Sequence, residues 1–359
     1  MPEMMRAYRF HGRGDMRMEK VPIPKAGFGE AIVRVSIASM CGTDLHILKG
    51  EYPVKAPKIL GHEFMGVIHE LGEGIHGYKV GDRVVLPSAT PCGQCEDCLQ
   101  FWNGKTCKVL GGDGGFNFGN TIDGAHAEYV RVPFAQANMA KIPDALADEQ
   151  VLLVGDTMST GIGASDHANV TMGDIVVVVG QGPVGLAATA GARLKGASLV
   201  IGVEMKPDRI EMSKRMGADA VVNPKEGDPI EAIRRLTDGH MADVSVEAFG
   251  AQATFDIALK AVRYGGTLSN LGIYSKDLLV NNRDFLAGCG DINILTTSCH
   301  GGKERLRRLL LSLKSKRMDM TPLITHRFRF DDIGKAYEVF DKKLENVLKV
   351  ALYIGTPLR

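Results

Sequence analysis

The sequence lacks an excess of charge, a long uninterrupted apolar segment and a dense set of cysteines. Its 43 basic and 42 acidic residues leave a formal net charge of +1, which favours neither a nucleic-acid partner nor an acidic solvating tail. The first ten residues include Glu3, Arg6 and Arg9 and no apolar run typical of a secretory signal. The longest uncharged stretch, residues 175–192, is interrupted by glycines and a proline, so it predicts no membrane span. We therefore expect a cytoplasmic protein.

The composition is that of a globular chain with normal cores. It has 359 residues, of which 45% are hydrophobic and 24% charged, and at roughly 150 residues per domain it predicts two or three domains. Glycine is abundant at 43 residues, against roughly 25 expected from a usage of about 7%. This excess indicates tight turns or close approach of the backbone to a ligand.

The middle of the chain alternates between β-branched apolar runs and helical patterns. The predicted strands are residues 175–179, 199–203, 220–222, 244–246, 267–271 and 292–296, and the predicted helices between them include 183–194, 208–216 and 255–262. Short strands separated by helices are typical of a doubly wound parallel sheet. The predicted fold class is therefore α/β.

The two ends of the chain have a different pattern. The first part has short strands split by glycine and proline turns, at residues 32–36, 65–71, 83–86 and 128–132. Residues after 300 add helices at 303–314 and 332–341 and a last strand at 347–353. A separate third domain would have too few residues for its own core. We infer a β-rich domain of residues 1–158, an inserted nucleotide-type domain of 159–299, and a return to the first domain over 300–359.

A glycine-rich turn opens the inserted domain. Gly180, Gly182 and Gly185 stand in the spacing G-x-G-x-x-G, directly after a predicted strand and before a helix that begins near Pro183 and Val184. This context is typical of dinucleotide binding. The first glycine permits a tight turn, the second lets a pyrophosphate approach the backbone, and the third allows close packing of the helix on the strand.

An acidic residue follows at the distance expected for a ribose contact. Glu204 ends the next predicted strand, where a carboxylate accepts hydrogen bonds from the adenosine ribose hydroxyls and repels a 2′-phosphate. The sequence therefore favours NAD over NADP. Arg209 is near enough in sequence to reach the same ribose, although a solvated arginine at the start of a helix is an equal alternative.

Four cysteines are spaced for a metal. They are Cys92, Cys95, Cys98 and Cys107, within a segment of residues 91–107. Four thiolates form the closed tetrahedral set of a structural zinc site. The alternatives are a redox pair or a loop without metal, but a redox C-x-x-C belongs at the start of a helix beside a strand. The segment has Lys105 as its one base, against Glu96 and Asp97, so it does not predict nucleic-acid binding.

A second set of metal-ligand residues is dispersed along the chain. Cys41, His62 and Asp156 offer one sulfur, one nitrogen and one oxygen. Three protein ligands and an open position describe a catalytic zinc. Spacing alone does not establish such a site, because a lone cysteine or histidine is more often structural.

Together these motifs resemble the zinc-dependent medium-chain dehydrogenase/reductase family over nearly the whole chain. The resemblance rests on Cys41-Gly42-Thr43-Asp44-x-His46, Gly61-His62-Glu63, Gly66, Gly81-Asp82-Arg83-Val84, the four cysteines and Gly180–Gly185. Residues 155–161, with Asp156 in place of the more usual cysteine, are most similar to the tetrameric bacterial secondary alcohol dehydrogenases. The resemblance implies a GroES-like catalytic domain, a Rossmann NAD-binding domain with a cleft between them, two zinc ions per chain, and a homotetramer.

The resemblance also assigns roles to individual residues. Thr43 would accept the alcohol proton and His46 would pass it to solvent; the alternatives are a turn hydroxyl and a surface histidine. Glu63 would either swing onto the catalytic zinc or form an ion pair. The remaining candidates are Thr160, Phe249 and Ile273 for the cofactor, with Phe116 and Ile273 also as walls of a substrate pocket.

The function expected from the sequence is transfer of a hydride between NAD and a secondary alcohol or its ketone. A polyol, aldehyde or primary alcohol dehydrogenase of the same fold is the nearest alternative, and a non-catalytic module that binds NAD and zinc is the alternative from another class. The apolar strands at 347–353 and near 292–296 are expected to need covering by another chain, in keeping with a homotetramer that acts on a small molecule, without nucleic-acid or membrane partners.

Overall fold

A computed structural model describes residues 2–101, 106–281 and 288–355. The chain divides into two compact units: Met1–Ser159 with Cys299–Arg359 form the first, and Thr160–Ser298 form the second. Lys105, which entered the charge argument for the cysteine segment, lies outside the described residues. None of the helices in the described part of the chain is both long and apolar enough to cross a membrane.

The first unit is built on two sheets of mainly antiparallel strands. Its strands, numbered along the whole chain, are β1 (Met4–Gly12), β2 (Asp15–Pro22), β3 (Ala31–Ser39), β4 (Lys58–Ile59), β5 (Glu63–Leu71), β6 (Arg83–Val85), β7 (Tyr129–Val132), β8 (Ala140–Lys141), β15 (Ile324–Arg329) and β16 (Lys349–Tyr353). One sheet has the order β2–β1–β4, and the other β15–β16–β3–β5–β6–β8 with β7 paired to β3. This confirms the β-rich part of the predicted fold class.

Helices of the first unit are mostly short. They are α1 (Gly42–Leu48), α2 (Glu96–Phe101), α3 (Ala135–Asn138), α4 (Asp148–Val151), α10 (Lys303–Lys314) and α11 (Ile333–Asp341), with a π-helical turn at Val154–Met158 and 3-10 turns at Asp113–Gly115, Thr321–Leu323, Phe330–Asp332 and Leu344–Asn346. The core between these elements includes Phe64 and Phe118, both fully buried with ring centroids 5.2 Å apart in an edge-to-face arrangement.

Two expectations about the first unit were wrong or incomplete. The last strand does not need another chain to cover it, because β16 pairs with both β15 and β3 and most of it is buried. The N-terminal hairpin of β1 and β2 was not predicted, because the charged residues Arg6, Arg9 and Arg17 interrupt its apolar pattern. These strands pair along almost their whole length, and Gly14 in their turn has a φ of +73°.

The second unit is the predicted doubly wound sheet. Its parallel strands are β9 (Ile175–Val179), β10 (Leu199–Val203), β11 (Ala220–Val222), β12 (Ala242–Glu247), β13 (Val262–Asn270) and β14 (Asn293–Thr296), in the order β11–β10–β9–β12–β13–β14. The helices are α5 (Ser159–His167), α6 (Pro183–Lys195), α7 (Pro207–Arg215), α8 (Pro229–Leu236) and α9 (Gln252–Ala261), with a 3-10 turn at Gly288–Asp291. This strand order is the Rossmann order, which confirms the α/β fold class.

Hydrophobic clusters on both faces explain why this sheet could be predicted. Val177 and Val179 pack into one cluster and Val176 and Val178 into the other. A strand that is buried on both faces needs a continuous apolar run rather than alternation. At the end of the sheet, β14 pairs with β13 alone among the described strands, and Ile294 is 40% exposed there.

Candidate active site

Antiparallel pairing brings Cys41 and His62 together. Ser39, the last residue of β3, lies opposite Glu63, the first residue of β5. Cys41 comes just after the first strand and His62 just before the second, so both side chains emerge at the same end of the strand pair. Gly61 has a φ of +92°, and its N–H donates to Asp44 Oδ1 at 3.3 Å, which fixes the turn into His62.

Asp156 reaches the same place from the π-helical turn. Gly155 allows this approach, because a Cβ on it would lie 2.1 Å from the carbonyl oxygen of Leu86. Ser88 N–H donates to the Gly155 oxygen at 2.9 Å, and Ser88 Oγ donates to Asp156 Oδ1 at 2.8 Å. Isolated π-helical turns frequently mark functional sites. The turn therefore aims the other carboxylate oxygen of Asp156 at His62.

The three donor atoms converge as a metal would require. The ligand atoms of Cys41, His62 and Asp156 all lie within 4.8 Å of one another, and His62 Nε2 is 3.5 Å from Asp156 Oδ2. Zinc takes such sulfur, nitrogen and oxygen ligands at about 2.0–2.3 Å. The residues present therefore fit a zinc ion held by three protein ligands.

The electrostatics of the cluster favour a cation. Burial lowers the pKa of His62, but Asp44, Asp156 and Cys41 together outweigh burial and raise this pKa well above its ordinary value. His62 and Lys349 lower the pKa of Asp156 despite its burial. His62 Nδ1 lies 3.6 Å from Asp44 Oδ1 and has no hydrogen-bond partner within the described residues. Asp44 thus faces the ring nitrogen that metal binding at Nε2 would leave protonated.

Glu63 belongs to an ion pair in this structure. Its Oε2 contacts Lys349 Nζ, both side chains being almost completely buried, and its Oε1 accepts from Thr157 N–H at 3.0 Å. Lys349 also donates to the backbone oxygen of Met40 at 2.7 Å. Of the two expectations for Glu63, the ion pair is the one that the structure contains. The pair joins the segments before Cys41 and after Asp156.

The two residues expected to move the proton share helix α1. Thr43 Oγ1 lies 3.6 Å from Cys41 Sγ, so the hydroxyl borders the candidate metal cluster. His46 is three residues further along the helix and therefore on a neighbouring part of the same face. Its Nδ1 lies 2.5 Å from Glu51 Oε2, and 38% of its side chain is exposed. His46 thus has contact with solvent.

Phe116 borders the cluster on another side. Its ring meets the His62 ring edge-on, with centroids 5.0 Å apart, and meets Tyr52 at 5.9 Å. Phe116 is therefore well placed to form an apolar wall beside the candidate metal ligands, as the sequence suggested.

The four cysteines also form a compact set. The sulfurs of Cys92 and Cys98 are 3.9 Å apart, as are those of Cys95 and Cys107, and all four lie within 4.8 Å of one another. Zinc–sulfur bonds of about 2.3 Å at tetrahedral angles place sulfurs about 3.8 Å apart. Burial raises the pKa of Cys98 to about 12 and also raises that of Cys107, whereas backbone N–H groups lower the pKa of Cys92 despite its burial. Four thiolates this close together would repel one another, so full ionisation of the set needs a cation. The arrangement fits a closed zinc site.

The glycine-rich turn of the second unit has the geometry that its spacing indicates. Gly180 has a φ of +87°. At Gly185 a Cβ would lie 1.8 Å from the Gly180 oxygen, so only glycine allows α6 to pack there. At Gly182 a Cβ would meet only Arg209, at 4.0 Å. The second glycine therefore faces open space, as a cradle for a phosphate would. Pro183 and Val184 begin helix α6.

Glu204 lies against this turn. Its Oε2 accepts from Gln181 N–H at 3.0 Å, and its Oε1 accepts from the N–H groups of Met205 and Lys206 at 2.7 and 3.1 Å. Arg209 Nη1 is 3.9 Å from Glu204 Oε2, with 14% of the Arg209 side chain exposed. Arg209 is therefore not the solvated arginine of the alternative interpretation.

Other cofactor candidates also lie in the second unit. Phe249 and Ile273 are 63% and 58% exposed, which leaves both side chains available to a ligand. Thr160 is the first residue of this unit and lies in helix α5.

Sequence reasoning gave no role to three polar residues of the candidate metal site. Asp44 had a local signal, because an acidic residue three positions after Cys41 at the start of a helix is typical of a cap. Lys349 had a weaker sequence signal, because it is a single charged residue inside an apolar strand. Ser88 had no sequence signal, because its contact with Asp156 depends on the packing of segments that are 68 residues apart.

The chain is similar to zinc-dependent dehydrogenases along most of its length. Residues 27–144 match a family model described as an alcohol dehydrogenase GroES-like domain, and residues 183–315 match one described as a zinc-binding dehydrogenase. An alcohol dehydrogenase of Cupriavidus necator is 44% identical, over 98% of this chain and 99% of that protein. An NADP-dependent isopropanol dehydrogenase of Thermoanaerobacter brockii is 34% identical, over 92% and 95%. The solved structure of an alcohol dehydrogenase from Thermus sp. ATN1 matches with a TM-score of 0.88 and 33% identity, over 98% and 100%.

The two candidate metal sites should respond differently to loss of one ligand. Asp156→Ala should lower the zinc content while leaving the melting temperature near that of the parent. Cys95→Ser should lower both, because a closed zinc site contributes directly to folding. Zinc content is measured by mass spectrometry of the purified proteins, and stability by thermal unfolding.

Asp331→Ala is the matched control, since 70% of the Asp331 side chain is exposed in the same unit, and it should change neither quantity appreciably. A zinc content in Asp156→Ala equal to that of the parent would remove the three-residue cluster as a metal site. An unchanged zinc content in Cys95→Ser would do the same for the four cysteines.

Proposed function

This chain belongs to the zinc-dependent medium-chain dehydrogenase/reductase family, and we propose that it is an NAD-dependent secondary alcohol dehydrogenase. It is a zinc-dependent oxidoreductase that acts on alcohols with a nicotinamide cofactor. The observation that carries the proposal is the convergence of Cys41, His62 and Asp156. Two supports for a secondary alcohol are the likeness to the isopropanol dehydrogenase and Asp156 as the third candidate ligand.

The candidate ligands are suited to hold a reactive zinc ion. A thiolate at Cys41, a carboxylate at Asp156 and a neutral imidazole at His62 together offset the two charges of the metal. A zinc ion held there would act as a Lewis acid that lowers the pKa of a bound alcohol, and a nicotinamide cofactor would supply the acceptor for the hydride. Asp44 would hold the His62 ring through Nδ1. Phe116, against the His62 ring, would keep water from one side of the ligand set.

The alcohol proton needs a route out of a buried site. We assign the first step to the Thr43 hydroxyl, which accepts the proton and releases its own, because Thr43 lies beside Cys41. His46 then receives the proton and releases it to solvent, which its exposed side chain reaches. Glu51 holds His46 at Nδ1 and leaves Nε2 for this transfer.

The preference for NAD is assigned to Glu204. Its carboxylate accepts hydrogen bonds from the N–H of Gln181, in the glycine-rich turn, and from the N–H of Met205, in the loop after β10. It therefore cannot leave without breaking these bonds, and a 2′-phosphate placed beside it would meet a fixed negative charge. The relative from Thermoanaerobacter brockii is NADP-dependent by its name, so Glu204 is the feature that carries this part of the proposal.

Cofactor choice tests the proposal most directly. With 2-propanol as substrate, kcat/KM for NAD should exceed that for NADP by at least about tenfold, a difference of about 1.4 kcal/mol. Glu204→Gln keeps the shape of the side chain and removes its charge, so the ratio of kcat/KM for NAD to kcat/KM for NADP should fall. Glu204→Gly should lower this ratio further. The reduced cofactor is followed by its absorbance.

Glu226→Gly, at an exposed glutamate of the same unit, is the control and should leave the ratio unchanged. Equal or better efficiency with NADP in the parent enzyme would overturn the assignment. A lack of turnover with secondary alcohols in zinc-loaded protein would overturn the proposed function as a whole.

The proton route predicts different effects at its two residues. Thr43→Val removes the hydroxyl with little change of shape, so turnover should fall by about 100- to 10,000-fold while NADH and zinc still bind. His46→Gln should be milder, because water can take the proton at the exposed end. Its defect in alcohol oxidation should be larger at neutral pH than at high pH, where hydroxide accepts the proton.

Steady-state rates across pH provide the measurement, with His76→Gln, an exposed histidine of the same unit, as the control. A pH–rate profile of His46→Gln that overlays the parent would exclude His46 from the route. Wild-type turnover in Thr43→Val would exclude the hydroxyl.

The family resemblance also supports a homotetramer. A second copy pairing with β14 would cover the exposed Ile294 at the end of the parallel sheet.

Ile294→Lys should therefore lower the mass found by light scattering, whereas Met172→Lys, at a residue that is 89% exposed in a turn, should not. A parent protein with the mass of one chain would contradict the assembly.

A further inference from the structure

A fully buried carboxylate ends strand β12 at the carboxyl edge of the parallel sheet. Glu247 Oε1 accepts from the N–H groups of Phe249 and Gly250, both at 3.0 Å. Its Oε2 accepts from Gly250 N–H at 3.2 Å and from the Tyr274 hydroxyl at 2.7 Å. Buried carboxylates persist where such donors replace the lost water. Glu247 thus joins the loop after β12 (residues 248–251) to the loop after β13 (residues 271–274).

Glycines keep these two loops in close contact. At Gly250, whose φ is +93°, a Cβ would lie 2.3 Å from the backbone oxygen of Ile273. At Gly272 a Cβ would lie 2.0 Å from Glu247 Oε2. Leu271 N–H donates to the Glu247 backbone oxygen at 2.8 Å. The two loops are therefore closely packed, with the Glu247 side chain between them.

The Tyr274 hydroxyl closes the arrangement. Its oxygen lies 2.7 Å from Glu247 Oε2 and 2.6 Å from the side-chain amide of Asn270. Burial and the neighbouring carboxylate raise the pKa of Tyr274, so the hydroxyl keeps the proton that it donates. Removing this one oxygen atom would break the contact of the second loop with the Glu247 carboxylate and leave the backbone bond from Leu271 to Glu247 in place.

The two loops display the exposed apolar residues Phe249 and Ile273. Phe249 stands beside the glycine-rich turn, since a Cβ on Gly180 would lie 3.0 Å from the Phe249 Cβ. In the strand order β10–β9–β12, Glu204 directly follows β10 and Glu247 ends β12, on opposite sides of β9. A dinucleotide lies across this edge with one half on each side. If Glu204 meets the adenosine half, the loops tied by Glu247 face the nicotinamide half.

We propose, resting on the proposed use of NAD, that Glu247 and Tyr274 are positioning residues for the nicotinamide half of the cofactor. They fix the loops that carry Phe249 and Ile273, and they leave the adenosine and pyrophosphate contacts to the Gly180–Gly185 turn and Glu204.

Binding of NADH and of ADP-ribose, which lacks the nicotinamide, separates the two halves. Tyr274→Phe in the full-length, zinc-loaded protein should weaken NADH binding about tenfold, because the loosened loop would then have to be ordered when the cofactor binds. Binding of ADP-ribose should stay unchanged. Glu247→Gln keeps the shape but turns an amide hydrogen toward an N–H donor, so it should show the same selective loss. Both affinities are measured by isothermal titration calorimetry.

Tyr264→Phe is the matched control, because Tyr264 is 78% exposed in the same unit, and it should bind both ligands as the parent does. Equal weakening of NADH and ADP-ribose in Tyr274→Phe would overturn the inference, since the residue would then only stabilise the unit. Unchanged NADH binding would also overturn it. A parent that binds neither ligand would overturn the proposed function, and this inference with it.

Discussion

Negative charge is concentrated in the candidate metal site, and the neighbouring structure depends on how that charge is balanced. Asp44, Glu63 and Asp156 are all nearly or fully buried. Lys349 pairs with Glu63, whereas the pKa of His62 is raised because two carboxylates face it. A divalent cation bound between Cys41, His62 and Asp156 would supply the positive charge that the protonated His62 imidazole supplies without it. The cluster is thus a buried group of acidic residues whose charge a bound cation would offset.

The same charge balance explains why these segments pack as they do. Lys349 on β16 donates to Met40, next to Cys41, and contacts Glu63, which in turn accepts from Thr157 beside Asp156. One buried ion pair therefore joins the segments that carry the candidate ligands. Strand β16 therefore contributes Lys349 to the candidate metal site. The strand is mostly buried, although its sequence suggested an edge that another chain would cover.

The sequence predicted most where local pattern and structure coincide. The strand at Ile175–Val179 is apolar throughout because both of its faces are covered, and the glycines after it have the predicted turn. Helix α1 and the π-helical turn, which carry Thr43 and Asp156, were not predicted, because each is short and is stabilised by distant contacts. Ligand type pointed to Cys41, His62 and Asp156, but their spacing alone did not establish the site, because strand register and a close glycine contact bring them together.

The buried carboxylates of the second unit are stabilised differently from those of the candidate metal site. Glu204 and Glu247 are held mainly by backbone N–H groups and not by a cation. Glu204 directly follows β10 and Glu247 ends β12, and each accepts hydrogen bonds from two backbone N–H groups of the following loop. Backbone donors hold a carboxylate at a fixed position, because they cannot rotate away as a lysine side chain can. At Glu204 this fixes a negative charge near the proposed ribose site, and at Glu247 it fixes the loops beyond the strand. Loops on both sides of the glycine-rich turn are therefore bonded to a buried carboxylate, and contacts of this kind lower the ordering that cofactor binding would otherwise require.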